Sequence, residues 1–361
     1  MWGATSKIPL PLNQQTLAEL THQQFSSACT GDFSLFPIEK GGSLRLFYRF
    51  TLSEGTGGGI LIHYHPGVRE NLIYAQINRF LKQVGVTVPS IHAEDLRHYI
   101  LWVEDAGERD LHSFRQLAPH ERIPRYQAAL RELATLHAID PKRPPVPLPD
   151  FEKGFSFDLY RWEQSYFFEH CLLHFFAWQK EEVEHFARQE FFLKSAERLG
   201  ASAPAIVHRD FQSTNIILKE NKAYIIDFQG MRLGHPEYDL ASLLYDPYVD
   251  LTLFEREELR KFYRQLLQEK RAGTPIHRPQ LEDEEETFYL CALHRLMQAL
   301  GAYGNLGLNR PQPRFLEHIL PALQSLSYVS KRWDELSEFS QLLECCIQKY
   351  PGQLAYWQGR Q

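Results

Sequence analysis

Cysteine is scarce in this chain: five residues in 361, at positions 29, 171, 291, 345 and 346. The number is odd and no C-x-x-C pair occurs, which argues against a disulfide framework or a cysteine zinc site and for a reducing compartment. Long apolar runs are missing too. Nothing approaches the roughly 18 consecutive apolar residues of a membrane span, and the start, MWGATSKIPLPLN, has no signal-peptide core. A soluble, cytoplasmic protein without a membrane partner is expected. Positive charge is not in excess, since 39 Lys and Arg face 45 Asp and Glu for a net charge of −6. Without clustered cations to meet a phosphate backbone, nucleic acid is excluded as the main ligand. What is present is a hydrophobic content of 43% over a length that accommodates two lobes, enough for a packed core.

The most informative stretch is PAIVHRDFQSTNIILKENKAYIIDFQGMRLGHPEYDLASLLYD, residues 204–246. Two apolar strand-like runs, 205–207 and 223–226, each lead into a carboxylate, with a polar loop between them. His208, Arg209 and Asp210, then four residues and Asn215, fit H-R-D-x-x-x-x-N, and Asp227 and Phe228 fill the first two places of D-F-G. Asp and Asn at strand ends are commonly turn formers. Here the full set stands in its strand–loop–strand context, and the pattern is that of a phosphoryl-transfer centre. One carboxylate, Asp210, accepts the proton of an attacking hydroxyl, while Asn215 and Asp227 hold Mg²⁺ against the phosphates of ATP.

HRDFQSTNI, IIDFQG and YDLASLLYD resemble the aminoglycoside phosphotransferase superfamily, and within it the anomeric amino-sugar kinases. GGSLRLFYR, LWVEDAGERDL and HRLMQALGAYG extend the resemblance over most of residues 40–325. It implies an α+β, bilobal protein-kinase-like fold: a small N-lobe with an antiparallel sheet over 1–103 and a larger α-rich C-lobe over 104–361. It also implies a sugar acceptor, N-acetylmuramate or N-acetylglucosamine phosphorylated at the 1-hydroxyl. A nucleotidyltransferase that consumes the sugar phosphate is then the implied pathway neighbour.

Before the catalytic stretch, Gly41, Gly42 and Ser43 lie between strands expected at 35–40 and 44–52. With the downstream motif they read as a phosphate-covering loop in which glycine admits close backbone approach and Ser43 adds a hydroxyl. Glu54 to Gly59 reads as a flexible turn. The third strand, 60–64, then lacks what such a fold requires: ILIHYHP contains no Lys for the α- and β-phosphates. Arg45 or Arg49 is expected to supply that charge, the rival being an inactive nucleotide-binding pseudokinase. A helix over 68–84 carries Glu70 in its first turn. His63 and His65 read as surface residues. Residues 99–103 form a strand running into a hinge, where the backbone of Glu104 and Ala106 is placed to meet the adenine edge.

Further on, 125–137 has helical spacing, with His137 structural, and the Pro-rich 142–150 is a linker. Residues 157–178 read as one aromatic helix offering Trp162, Glu163, Tyr166 and Glu169 as walls for a sugar; the competing reading is that aromatic stripes are core. His170 and His174, at i and i+4, lack the H-E-x-x-H pattern of a metal site. Asp239 is expected to cap its helix or brace the catalytic loop. The acidic run 282–286 reads as a solvated helix start, although a polycationic acceptor would also want it. Arg295, with Gln298 and Tyr303, is a candidate to close the acceptor site from below. Besides the sugar kinase, an amino-alcohol or aminoglycoside kinase remains open.

Overall fold

The structure, a computed structural model, describes residues 12–26, 34–38, 45–51, 58–272, 281–309 and 312–359. The glycine loop with Ser43, and residues 54–57, lie outside that set. Helix α1 (Gln14–Gln24) starts where the Asn13 side chain accepts the Thr16 N–H, satisfying one of the unpaired donors of a helix start. Strands β1 (Ser34–Ile38), β2 (Leu46–Thr51), β3 (Gly58–His63), β4 (Ile91–Asp95) and β5 (Ile100–Val103) form one antiparallel sheet in the order β1-β2-β3-β5-β4.

Alternation along the strands divides the apolar residues between two faces. Leu61, Ile100 and Trp102 join Leu17 of α1 in one core. Their neighbours Ile62, Leu101 and Val103 join Ile77, Phe80 and Leu81 of α3 (Tyr74–Gln83) in the other. The helix expected over 68–84 is broken at Ile73, with a four-residue α2 (Arg69–Leu72) before the break. Immediately after it the Tyr74 ring packs on Phe228 at 4.6 Å. The glycines at 58 and 59 are not a free turn but strand residues. A Cβ on Gly59 would stand 2.5 Å from the Val103 carbonyl oxygen, so β3 can approach β5 only with glycine there.

Beyond Val103 the chain is mostly helical. Helix α4 (Pro119–His137) packs on α9 (Leu253–Lys270). The two are tied by Arg122, which grips Glu255 through two bonds of 2.5 and 2.6 Å, the bidentate geometry that favours arginine over lysine. The linker 142–150 has no regular structure. Helix α5 (Phe157–Phe167) does not continue α-helically to 178 but widens into a π-helical segment, Phe168–Phe175, followed by α6 (Lys180–Ala187) and α7 (Glu190–Gly200).

Two short pairs follow, β6 (Ala205–Val207) with β9 (Arg232–Gly234) and β7 (Ile216–Lys219) with β8 (Lys222–Ile225). Helices α8 (Pro236–Leu244), α10 (Leu281–Asn309), α11 (Ile319–Ser330) and α12 (Ser337–Gln358) complete the body. Helix α10 runs directly against α5 and the π segment. A Cβ on Gly301 would lie 2.7 Å from the Tyr166 ring and one on Gly304 2.4 Å from the His170 carbonyl, so the small residues set the spacing. The acidic run at the start of α10 is used within the protein: Arg198 pairs with Asp283 and Glu286, and Arg332 and Arg260 with Glu285. Among the described residues no helix is long and apolar enough to cross a membrane.

Candidate active site

A cleft of about 450 Å³ opens where the sheet meets the helical body. Phe47, Ile60 and Ile62 line it from the sheet, and Ile217 and Ile226 from the body. Two apolar walls across such a gap suit a flat ring system. Residues 104–108 border the same cleft. The Glu104 side chain is committed to the protein, accepting from the Ser90 N–H at 3.0 Å and hydroxyl at 2.9 Å. Burial opposes its ionisation, but these bonds hold the carboxyl below its ordinary range. The Glu104 carbonyl and the Ala106 N–H, by contrast, have no hydrogen-bond partner among the described residues.

Strand β6 delivers Asp210 and strand β8 delivers Asp227, because each strand ends one or two residues short of its carboxylate. Asn215 joins them through its own amide, whose Nδ2 donates to the Asp210 carbonyl at 3.0 Å. The loop is held from below by Asp239 of α8, which is fully buried. Its two oxygens accept the N–H groups of His208 at 2.6 Å and Arg209 at 2.7 Å. Asp239 therefore braces the catalytic loop and is not the helix cap; the cap position is His235. His137 completes the brace, with Nε2 donating to Asp239 at 3.1 Å and Nδ1 accepting from Tyr263 at 2.7 Å. Burial pushes the His137 pKa down, so the neutral ring with one donor and one acceptor fits both partners. Arg209 has φ 79° and Asp227 φ 64°. Left-handed backbone at non-glycine residues is costly and persists only where the surroundings enforce it, as the Asp239 bond to the Arg209 N–H does.

The two arginines considered for the missing lysine go to different places. Arg45 reaches Asp227 at 2.9 Å. Arg49 binds Asp105 at 2.6 Å and also meets Glu108, tying β2 to the hinge. Asp227 further accepts from the Gln229 side chain at 3.0 Å. Gln229 occupies the position of the D-F-G glycine, a role that the motif match leaves blank. Likewise Asp246, which accepts the Ser213 N–H at 2.8 Å and fixes the loop's far end, has no signature in sequence. His63, expected at the surface, is buried: its Nε2 accepts the Leu12 N–H at 3.2 Å and its Nδ1 faces the Tyr99 carbonyl at 3.3 Å.

The acceptor-site candidates go to different places. Trp162 is 47% exposed and stacks on Tyr166 at 4.9 Å, whose hydroxyl accepts from Asn305 at 2.8 Å. Glu163 is not on that face, because consecutive helix residues point some 100° apart. It is 0% exposed, bonded to the Tyr238 hydroxyl at 2.9 Å, and burial pushes its carboxyl up to about 7. It therefore offers no wall to an acceptor. Arg295 reaches the catalytic end: Nη2 lies 3.6 Å from Asp210 and 3.2 Å from Gln212, and Nε donates to Ser242 at 2.9 Å. Glu169, His170 and His174 bring ligand-type atoms within 4.8 Å of one another on the π segment, away from the cleft residues.

The sequence model described as the phosphotransferase enzyme family matches residues 37–281, well over half of the chain. A Pseudomonas aeruginosa protein named N-acetylmuramate/N-acetylglucosamine kinase is 24% identical over 312 residues, covering 86% of this chain and 87% of that protein. Among solved structures, a choline kinase from Cryptosporidium parvum superposes with a TM-score of 0.58 at 14% identity, covering 92% of this chain and 99% of the other. The ADP-bound aminoglycoside phosphotransferase APH(2'')-Ib gives 0.53 at 15% identity, with 86% and 98% covered. Both likenesses are of fold, and they agree with the sheet-plus-helical-body architecture. With the catalytic loop, the second carboxylate and the matched span in agreement, the chain belongs to the phosphotransferase enzyme family.

Proposed function

We propose that the protein is an ATP-dependent kinase that phosphorylates a hydroxyl of an amino sugar, the anomeric 1-hydroxyl of N-acetylmuramate or N-acetylglucosamine. One observation carries the reading: Asp210, Asn215 and Asp227 converge, with Arg45 beside them, next to an apolar cleft whose hinge keeps one backbone acceptor and one donor unpaired. A purine edge needs that pair of groups. Asp210 is the residue that takes the proton of the attacking hydroxyl.

The donor set suits a hard cation. Asn215 spends its N–H₂ on the Asp210 carbonyl, which leaves the amide oxygen as its ligand atom, and Asp227 adds carboxylate. Mg²⁺ bound there would neutralise charge on the triphosphate. The amino-sugar acceptor is supported by the name of the Pseudomonas relative, aligned along most of both chains. A polycationic acceptor is disfavoured by the ion pairs that occupy Asp283, Glu285 and Glu286. Such a kinase would work in the cytoplasm and feed a nucleotidyltransferase that activates the sugar phosphate.

A panel of N-acetylated amino sugars, choline, ethanolamine and aminoglycosides assayed with Mg-ATP tests the reading. Turnover of an N-acetylhexosamine with a product that is acid-labile, as anomeric phosphates are, is the expected result. Turnover confined to choline or an aminoglycoside would replace it.

The missing third-strand lysine makes Arg45 the cation of the phosphate site. Arg45→Ala should lower kcat/KM for ATP about 10–100-fold, as loss of a charge-assisted contact does. Arg45→Lys should recover only part, since a point charge cannot reproduce a fork. Arg49→Ala, at the hinge, should change it only about threefold, the scale of an exposed ion pair. Steady-state kinetics decides, and an unaltered Arg45→Ala enzyme rejects the assignment.

A further inference from the structure

Among the described residues four arginines expose less than a tenth of their surface: Arg122, Arg232, Arg260 and Arg295. Three of them meet a carboxylate within 4 Å: Arg122 meets Glu255, Arg260 meets Glu257 and Glu285, and Arg295 meets Asp210. Arg232 meets none among the described residues. Its Nε donates to the Gly230 carbonyl at 3.1 Å, a neutral partner for a 7% exposed cation. The same glycine is the meeting point for a second guanidinium. A Cβ on Gly230 would lie 3.7 Å from Nη1 of Arg209, and the Arg209 side chain also has no carboxylate within ion-pair distance among the described residues. Two cations thus approach one backbone position, and one of them, Arg209, directly precedes Asp210 in the chain.

An unpaired buried charge is costly, and two like charges held together are costlier. Burial and the neighbouring Arg209 pull the Arg232 pKa down. The candidates to neutralise the pair do not reach it. Glu163 is an electrostatic neighbour of both arginines, but it turns Oε1 to Tyr238 and its Oε2 has no partner. Asp210, Glu70 and Tyr238 also act on Arg209, yet none forms an ion pair with it. Asp210, Glu163 and Glu70 nonetheless favour the charge on Arg209, so Arg232 is the less satisfied of the two cations, and the exposed side of Asp210 is where the acceptor hydroxyl must arrive.

We propose that Arg209 and Arg232 bind a carboxylate carried by the acceptor, next to the hydroxyl that Asp210 activates. The inference rests on the amino-sugar reading and narrows it: the better acceptor is a hexosamine bearing an acidic ether substituent, as N-acetylmuramate does, and the neutral N-acetylglucosamine is the poorer one. A planar carboxylate accepts two parallel N–H bonds from a guanidinium, and two guanidiniums give it partners that a neutral sugar leaves unpaired. The penalty for leaving them unpaired is what separates the two sugars.

The test compares kcat/KM for N-acetylmuramate and N-acetylglucosamine in the wild type, Arg232→Gln, Arg232→Lys and Arg209→Gln, with folding checked by thermal melts. The wild type should prefer the acidic sugar, and the ratio should fall about 10–100-fold in the Gln variants, with partial recovery in Arg232→Lys. Equal losses on both sugars, or a rise in the KM for ATP alone, would overturn the proposal and assign the arginines to the phosphoryl group. Thermal shifts with D-lactate against uncharged lactamide, at matched ionic strength, stand apart from turnover. Lactate should stabilise the wild type and not Arg232→Gln. If no sugar turns over but the lactate effect holds, the sugar reading fails and the carboxylate site stands; if lactate and lactamide act alike, the site fails.

Discussion

Asp210→Asn should leave the protein folded and able to bind ATP while lowering turnover about 10²–10⁴-fold, the contribution of a positioned acid–base group. The amide has nearly the shape of the carboxylate, and the loop does not depend on the Asp210 side chain. It depends on the Asp210 carbonyl, which accepts from Asn215, and on Asp239, which accepts the two preceding N–H groups. Arg295, 3.6 Å from the carboxylate, would lose its anion, but it keeps Ser242, Gln212 and Gln298 as acceptors. The loss should therefore fall on kcat, with the KM for ATP close to that of wild type. Turnover within threefold of wild type would remove Asp210 from the mechanism.

Asp239→Ala should be the most destabilising single change in the site, by about 4 kcal/mol. Three donors lose their acceptor at once, the N–H groups of His208 and Arg209 and the ring of His137. A buried donor left unmade costs about 1–3 kcal/mol. The same bonds hold Arg209 at φ 79°, and when they are gone the backbone relaxes toward an ordinary conformation and carries Asp210 with it. A fall of about 5 °C in Tm is expected from the usual scaling with chain length, together with a loss of kcat. Asp239→Asn, which can accept one N–H but presents its own donors to the other, should fall between. Scanning calorimetry and kinetics on the two variants check this, and a melting point unchanged in Asp239→Ala would show that the brace is not what holds the loop.

Asp210, Asn215 and Asp227 could be read from sequence because they are local. Strand, loop and strand follow one another within 24 residues, 204–227, so period-two hydrophobicity and the loop spacing are enough to bring three side chains together. The β5 exit is local in the same way, and residues 104–108 that follow it border the cleft. The aromatic stretch after Phe157 was legible only in part. Its composition announces a helix, but composition does not say which face turns inward, and Glu163 came out buried on Tyr238 while Trp162 remained exposed. Its π-helical continuation likewise follows from packing on α10 at Gly301 and Gly304, residues more than 130 positions away from Phe168.

What the chain alone determined is therefore the chemistry of the centre and the class of fold: an α+β, protein-kinase-like phosphotransferase. Tertiary structure decided the support and the charges around it. Arg45 and Asp227 are 182 residues apart, and nothing in either segment says that this arginine and not Arg49 reaches Asp227. His137 and Asp239 are 102 residues apart. Arg232 is an unremarkable strand residue until folding sets it against Gly230 and Arg209. The physical reason is common to the first two. A hydrogen bond or ion pair between distant segments depends on where the sheet, α4 and α8 are packed, and that packing is fixed by non-directional burial of apolar surface, whose pattern a local window of sequence does not contain.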